Sequence, residues 1–214
     1  MTPIRPAIFD MDGTLIDSMD IITDTFDRTM REEAGIVHPR EYYRRFVGPP
    51  LSESFAELGV DPEYFVIAYR RRYSKRHLEM GLFEGISDAL SRLCEAGVPM
   101  AIATSKKAEA AVALIEHLGV SGYFVAICGA DESGNRTAKH WMVGDALDAF
   151  AAAGVDTANA VMIGDRKYDV EGAAAHGLPT VLVRWGAAPE EEYALAWRTV
   201  NTADQLVDVL IGGV

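Results

Sequence analysis

This sequence of 214 residues has few of the features that mark secreted, membrane or nucleic-acid-binding proteins. Its two cysteines, Cys94 and Cys128, stand in apolar contexts, so we expect reduced core residues and a cytoplasmic protein. No apolar run reaches the roughly 18 residues that a membrane-spanning helix needs. The first apolar run begins at residue 6, so we expect no signal peptide. Basic residues number 20 against 32 acidic ones, and the net charge of -12 argues against nucleic acid or an anionic membrane as partner.

Apolar, β-rich runs alternate with helical patterns along most of the chain. The runs cover residues 6–10, 99–104, 124–129, 158–164 and 179–183, and the helical patterns cover 86–96, 107–118, 138–153, 166–176 and 203–211. This alternation predicts an α/β fold, a parallel sheet with helices on both faces. One segment, residues 16–82, has helical patterns divided by turn signals into roughly four helices. We predict that this helical insertion forms one domain and that residues 1–15 and 83–214 form the α/β core domain.

Two acids follow the first predicted strand, in residues 7–15, which read AIFDMDGTL. The apolar run ends in Asp10, Asp12 follows two residues later, and Gly13 and Thr14 turn the chain. Open α/β sheets bind ligands at the carboxyl ends of their strands. Two neighbouring carboxylates repel each other unless a proton or a cation separates them, and Mg²⁺ prefers oxygen ligands. The pattern therefore indicates a magnesium site, although a turn with two solvated acids would read the same way.

Polar residues also end two later strands. Thr104 and Ser105 follow one run, where a hydroxyl and the N–H groups of the next helix would favour an anion, although Ser105 could simply cap that helix. Asp165 ends another run, and Asp169 lies one helical turn later on the same face. In isolation, these two acids could be a helix cap and a solvated side chain.

In this order along the chain, the motifs resemble those of the haloacid dehalogenase superfamily, closest to its phosphoglycolate-phosphatase-like group. The resemblance rests on DMDGT at 10–14, on Thr104, on Lys139 and on GDRKYD at 164–169. It implies a Rossmann-like parallel sheet core with the helical insertion as a cap domain. It also implies that Thr104, Ser105 and Lys139 bind phosphate, although Arg136 competes with Lys139 for this role.

The resemblance implies a Mg²⁺-dependent phosphatase that hydrolyses a small phosphorylated metabolite through an aspartyl-phosphate. Asp10 would be the nucleophile and Asp12 the general acid and base. Mg²⁺ would be held by Asp10, the Asp12 carbonyl and Asp165, with Asp169 holding metal-bound water. Two alternatives stay open: a mutase of the β-phosphoglucomutase kind, which Thr14 disfavours, and a non-catalytic binding protein on the same fold.

The helical insertion offers candidates for substrate recognition. Residues 46–51, FVGPPL, are similar to the loop that faces the active site in the same group, which singles out Gly48. Arg45 lies just before this turn and could bind an anionic substrate group bidentately, or could be an ordinary solvated residue. We expect no nucleic acid or membrane partner, and either a monomer or a homodimer.

Overall fold

The protein is described by a computed structural model that covers residues 4–131, 136 and 138–212. The expectation about a signal peptide falls partly on residues 1–3, which lie outside the described residues. The strands are β1 (Ala7–Phe9), β2 (Ile16–Asp17), β3 (Gly81–Leu82), β4 (Met100–Lys107), β5 (Ile127–Ala130), β6 (Val161–Gly164), β7 (Thr180–Val183) and β8 (Arg198–Val200). The α-helices are α1 (Met19–Ala34), α2 (Leu51–Glu57), α3 (Pro62–Tyr73), α4 (Ile86–Glu95), α5 (Ala108–His117), α6 (Lys139–Ala152), α7 (Lys167–Ala174) and α8 (Ala203–Ile211).

Six of these strands form one parallel sheet in the order β5-β4-β1-β6-β7-β8. The predicted α/β class and its parallel sheet are confirmed. The edge strand β8 is missing from the sequence prediction because it is short and two of its three residues, Arg198 and Thr199, are exposed. Within the described residues, no helix is both long and apolar enough to cross a membrane.

Strand β1 lies at the centre of the sheet and is buried on both faces. Successive side chains of a strand point to opposite faces, so Phe9 packs into one apolar cluster and Ile8 into another. The Phe9 cluster includes residues of α4, α5 and α8, and the Ile8 cluster includes residues of α6 and α7. Helices on both faces fix β1, and therefore the catalytic candidates that follow it.

The helical insertion has an apolar core of its own, centred on Phe26. It contains α1, α2 and α3 with two 3-10 helices, Arg40–Phe46 and His77–Glu79, rather than four regular helices. The Phe26 ring contacts four aromatic rings at centroid distances of 4.8 to 6.1 Å, those of Tyr43, Phe46, Phe55 and Tyr69. The antiparallel pair β2–β3 joins the two ends of the insertion, so the chain leaves and re-enters the core at one place.

We predict that Phe26→Ala lowers the free energy of unfolding of the helical insertion by about 3–5 kcal/mol, because it leaves a cavity among four rings. If residues 16–82 form a separate domain, urea unfolding followed by circular dichroism will show an early transition that leaves the core folded. The control is Val37→Ala, since Val37 is 61% exposed and its truncation should change stability by less than about 0.5 kcal/mol. A single transition shifted equally in both variants would contradict the domain division.

Candidate active site

The sheet brings most of the predicted site residues to one edge. Asp10 follows β1, Asp165 follows β6 and Thr104 lies within β4, so all three stand at the carboxyl ends of neighbouring parallel strands. Lys139 is the first residue of α6, and Asp169 lies in the first turn of α7. Each of these five residues is buried.

One lysine contacts two of the carboxylates. Lys139 Nζ lies 2.6 Å from Asp10 Oδ1 and 2.9 Å from Asp169 Oδ1, and it donates to the Ala103 carbonyl at 3.2 Å. Arg136, the competing candidate, instead binds Asp145 at 2.7 Å. Gly134, Asn135 and Thr137 of the same segment lie outside the described residues.

Burial and mutual repulsion disfavour the charged forms of Asp10 and Asp165. Burial, partly offset by the Lys139 ammonium, raises the pKa of Asp10 to about 7. Burial, together with the charges of Asp169 and Asp10, holds the pKa of Asp165 well above its usual range. Burial alone would lower the pKa of Lys139, but the charges of Asp10 and Asp169 outweigh it and raise that pKa.

A cation fits this arrangement. Oxygens of Asp10, Asp165 and Asp169 lie within 4.8 Å of one another, and no histidine or cysteine joins them among the described residues. One ammonium does not balance this cluster of buried carboxylates, and a hard divalent cation would favour the charged forms of Asp10 and Asp165. Three of the acids predicted as metal ligands are thus brought together from distant segments, and Asp12 is not part of this cluster.

Backbone groups orient the two acids of the last motif. Asp169 Oδ2 accepts hydrogen bonds from the N–H groups of Asp165 and Arg166 at 3.1 and 3.0 Å, which caps α7. Asp165 Oδ2 accepts one from the Ala187 N–H at 2.8 Å. A Cβ atom on Gly13 would lie 2.6 Å from Asp165 Cγ, so only glycine lets the loop after β1 pass this close.

The second acid of the first motif has a partner that the sequence analysis missed. Lys106 Nζ lies 2.9 Å from Asp12 Oδ2 and also donates to the Tyr73 hydroxyl of α3. Its side chain is only 7% exposed, so this ion pair is well shielded from water. The position of Lys106, two residues after Thr104, was the one available signal. Lys106 therefore ties Asp12 to the helical insertion.

A second contact between the core and the helical insertion was also missed. The guanidinium of Arg166 binds Glu192 in two-pronged fashion, at 3.0 and 3.1 Å, and donates to the Val47 carbonyl of the insertion loop. Arg166 and Glu192 are both buried. Twenty-six residues separate them, so no local pattern could have paired them.

A cavity of about 760 Å³ lies between the helical insertion and these acids. Asp10, Asp12, Thr104, Ser105, Gly48, Lys139 and Asp169 line it, together with a face of α3. Thr104 is almost fully buried, and its hydroxyl accepts a hydrogen bond from the Lys106 N–H at 3.2 Å. The cavity thus opens onto the acids and onto both predicted phosphate ligands of β4.

Arg45 is not among the residues around this cavity. Its guanidinium lies 2.8 Å from Glu57 and donates to the Tyr42 hydroxyl at 2.9 Å, on the outside of the helical insertion. The side chain is half exposed. The sequence placed Arg45 beside the correct loop but could not give the direction of its side chain, and this placement gives its expected role in substrate selection no support.

Residues 7–183 match the family model of the haloacid dehalogenase-like hydrolases. The chain belongs to that family. The resemblance noted from its motifs is confirmed, and so is the prediction of a hydrolase. No motif residue is missing from the site just described.

Similar proteins include both phosphatases and a kinase by name. Tyrosine-protein kinase PtkA of Mycobacterium tuberculosis is 36% identical over 207 residues, 95% of this chain and 70% of that protein. Phosphoglycolate phosphatase of Rhodobacter capsulatus is 34% identical over 86% of each chain. The crystal structure of a predicted phosphatase from Clostridium acetobutylicum has a TM-score of 0.88 and 31% identity, and covers 98% of this chain and 99% of that one.

We predict that Gly13→Ala in this hydrolase weakens Mg²⁺ binding by about 10–100-fold, because the new methyl group displaces the Asp165 carboxylate. Calorimetric titration with Mg²⁺ measures this. The control is Gly35→Ala: both glycines have positive φ, 83° and 67°, but a Cβ atom on Gly35 would meet nothing within 4 Å. Both variants should lose about 1–2 kcal/mol of stability from the left-handed backbone, and unchanged Mg²⁺ affinity in Gly13→Ala would contradict the prediction.

Proposed function

We propose that this protein is a Mg²⁺-dependent phosphatase that hydrolyses a small phosphate monoester through an aspartyl-phosphate intermediate on Asp10. The observation that carries the proposal is the position of Asp10. Its carboxylate ends the central strand, opens onto the cavity and lies 2.6 Å from the Lys139 ammonium. A carboxylate held in this way can act as a nucleophile once its charge repulsion with phosphate is offset.

In the first step, an Asp10 oxygen attacks phosphorus as the bond to the leaving oxygen breaks. Lys139 Nζ offsets negative charge on the phosphoryl group, and Thr104 with its neighbouring backbone N–H groups binds the phosphoryl oxygens. Asp12 acts as the general acid and gives a proton to the leaving oxygen. Phosphoryl transfer depends mainly on such positioning and charge stabilisation.

In the second step, Asp12 takes a proton from water as the water attacks the phosphorus of the aspartyl-phosphate. The P–O bond to Asp10 breaks, and inorganic phosphate leaves. Acid–base assistance of this kind contributes about 10²–10⁴ in rate. The contact with Lys106 supports the assignment, since it holds the Asp12 carboxylate at the cavity.

The residues that would hold Mg²⁺ are Asp10, Asp165 and the carbonyl of Asp12. When bound, the ion supplies positive charge that offsets the nucleophile and the phosphoryl oxygens. Asp169 does not contact the phosphate in this mechanism. Its oxygens orient Lys139 and the turn before α7, and it would hold metal-bound water.

We assign the helical insertion the role of a cap. Phe46, Gly48 and the exposed face of α3 form the wall of the cavity opposite Asp10. This wall can exclude water and contact the leaving group. A cytoplasmic location and a monomeric or homodimeric state stay predictions from the sequence alone.

A second candidate function comes from PtkA, which is named as a tyrosine kinase and is 36% identical to 95% of this chain. Transfer of phosphate from ATP to a tyrosine would use the same phosphate ligands but a different acceptor. Incubation with radiolabelled ATP and a tyrosine-containing peptide separates the two. A phosphatase releases phosphate to water and leaves the peptide unlabelled.

We predict that the purified protein hydrolyses members of a panel of phosphate monoesters only with Mg²⁺, and that a chelator abolishes turnover. Asp10→Asn should remove both turnover and any acid-stable phosphoenzyme, since the amide is no nucleophile. Full turnover in chelating buffer would contradict the metal assignment. Isomerised sugar phosphate without net release of phosphate would indicate the mutase instead.

We further predict that Asp12→Asn slows hydrolysis of alkyl phosphates by about 10²–10⁴-fold but that of 4-nitrophenyl phosphate much less, because nitrophenolate needs no proton to leave. The measurement is kcat/KM for both esters in both proteins. The matched control is Asp145→Asn. Asp145 lies on α6 and pairs with Arg136, and neither residue lines the cavity. Equal losses for both esters in Asp12→Asn would show that Asp12 is not the acid.

A further inference from the structure

We infer that Arg70 of α3 binds a second anionic group on the substrate, so that the preferred substrates are phosphate monoesters whose leaving group carries a carboxylate or another phosphate. The inference rests on the proposed phosphatase function. It assigns the role expected of Arg45 to a different arginine.

The first support is the face of α3 on which Arg70 lies. The residues of this helix and of the turn after it that line the cavity recur at helical spacing: Pro62, Glu63, Val66, Ile67, Tyr69, Arg70, Tyr73, Ser74 and His77. This spacing is one continuous side of an α-helix, and it directs Arg70 toward the cavity. Val66 and Ile67 make the preceding turn apolar, so Arg70 lies at the border between an apolar wall and the polar floor.

The second support is the position of Arg70 relative to Asp12. Tyr73 is one turn further along the same face, about 5 Å along the helix axis. The Tyr73 hydroxyl contacts Lys106, and Lys106 contacts the carboxylate of Asp12. Asp12 is the group assigned to the leaving oxygen. Arg70 is therefore one helical turn from the residue that reaches the leaving-group side of the site.

The third support is the charge balance of the arginines in the helical insertion. Seven of them have an aspartate or glutamate within 4.0 Å: Arg28, Arg31, Arg40, Arg45, Arg71, Arg72 and Arg76. Arg70 makes no ion pair or hydrogen bond with any other side chain among the described residues, and Arg44, which shares this property, is absent from the cavity. An arginine at a cavity wall without a carboxylate partner can bind an anion without first breaking an ion pair.

Lys107 adds positive charge on the opposite wall. It lines the same cavity from the core side, at the end of β4, and it too has no carboxylate partner within the described part of the chain. Glu63 lies on the Arg70 face but two turns away, and it forms no ion pair with Arg70. The unpaired cations thus favour an anion near Arg70, bidentate at the guanidinium.

The experiment compares esters that differ only in the tail. It measures kcat/KM for alkyl phosphates, ω-carboxyalkyl phosphates and alkanediol bisphosphates with two to five carbons. The variants are Arg70→Met and Arg70→Lys, with Arg71→Met as the matched control. Arg71 is the next residue of α3 and is exposed like Arg70, but its side chain pairs with Glu33 at 3.3 Å and does not line the cavity.

We expect Arg70→Met to lower kcat/KM for the best anionic ester by about 10–100-fold and for the matching alkyl phosphate by less than about twofold. Arg70→Lys should keep part of the difference, and Arg71→Met should change neither value. If kcat/KM falls more for the ω-carboxyalkyl phosphates, the group that Arg70 binds is a carboxylate. If it falls more for the bisphosphates, that group is a phosphate. The chain length with the largest loss reports the distance from Arg70 to the reacting phosphorus.

Equal losses for anionic and alkyl esters in Arg70→Met would overturn the inference, because a structural role lowers both alike. It would also be overturned if the unmodified protein showed no preference for anionic tails at any length. If the unmodified protein hydrolyses no ester at all, the proposed function fails instead. Calorimetric titration of Arg70→Met and the unmodified protein with the intact bisphosphate then decides the anion site: equal affinities would overturn it.

Discussion

The structure depends on keeping three carboxylates buried together at the end of a parallel sheet. Removing an ionised group from water costs several kcal/mol, and like charges in contact add to that cost. Lys139 and the N–H groups around Asp165 and Asp169 offset only part of it. Local backbone features follow from this need. The loops at Gly13 and Gly186 press so closely on Asp165 that neither has room for a side chain. A site this costly to assemble is stable because the surrounding sheet is buried on both faces.

Two ion pairs of the core also connect it to the helical insertion. Lys106 and Arg166 are both buried, and each neutralises an acid of the core while contacting an element of the insertion, Tyr73 in one case and the Val47 carbonyl in the other. Displacing the insertion would therefore expose two ion pairs to water. If the insertion acts as the proposed cap, its displacement would change the electrostatics of the site, because both ion pairs would lose their shielding from water.

The sequence predicts those features of the site that depend on a short stretch of chain, and not those that depend on contacts between distant residues. Apolar runs that end in acids are local patterns, so the strands and the positions of Asp10 and Asp165 follow from the sequence. Lys139 required the resemblance, since a lysine at a helix start is usually a surface residue. The pairs Lys106–Asp12 and Arg166–Glu192 could not be predicted from the sequence. The two residues of each pair are 94 and 26 positions apart and meet only through tertiary packing. The arginines of the insertion show the same limit: sequence gives their number, but packing decides that Arg45 pairs with Glu57 while Arg70 meets the cavity.

The difference between the residues around Asp10 and those on α3 also indicates which of them set the substrate preference. Lys139 contacts Asp10, Asp169 and the Ala103 carbonyl, so a change at Lys139 alters several contacts of the candidate site together. Two residues on the cavity-lining face of α3, Ile67 and Arg70, have no such partners among the described residues. Ile67 is 65% exposed and Arg70 is unpaired within the described chain, so replacing them disturbs little of the fold. Surface positions of this kind usually tolerate substitution within about 0.5 kcal/mol. A difference of about 1.4 kcal/mol in transition-state binding changes relative rates tenfold. The α3 wall can therefore change which ester is preferred at little cost in stability, and the floor cannot.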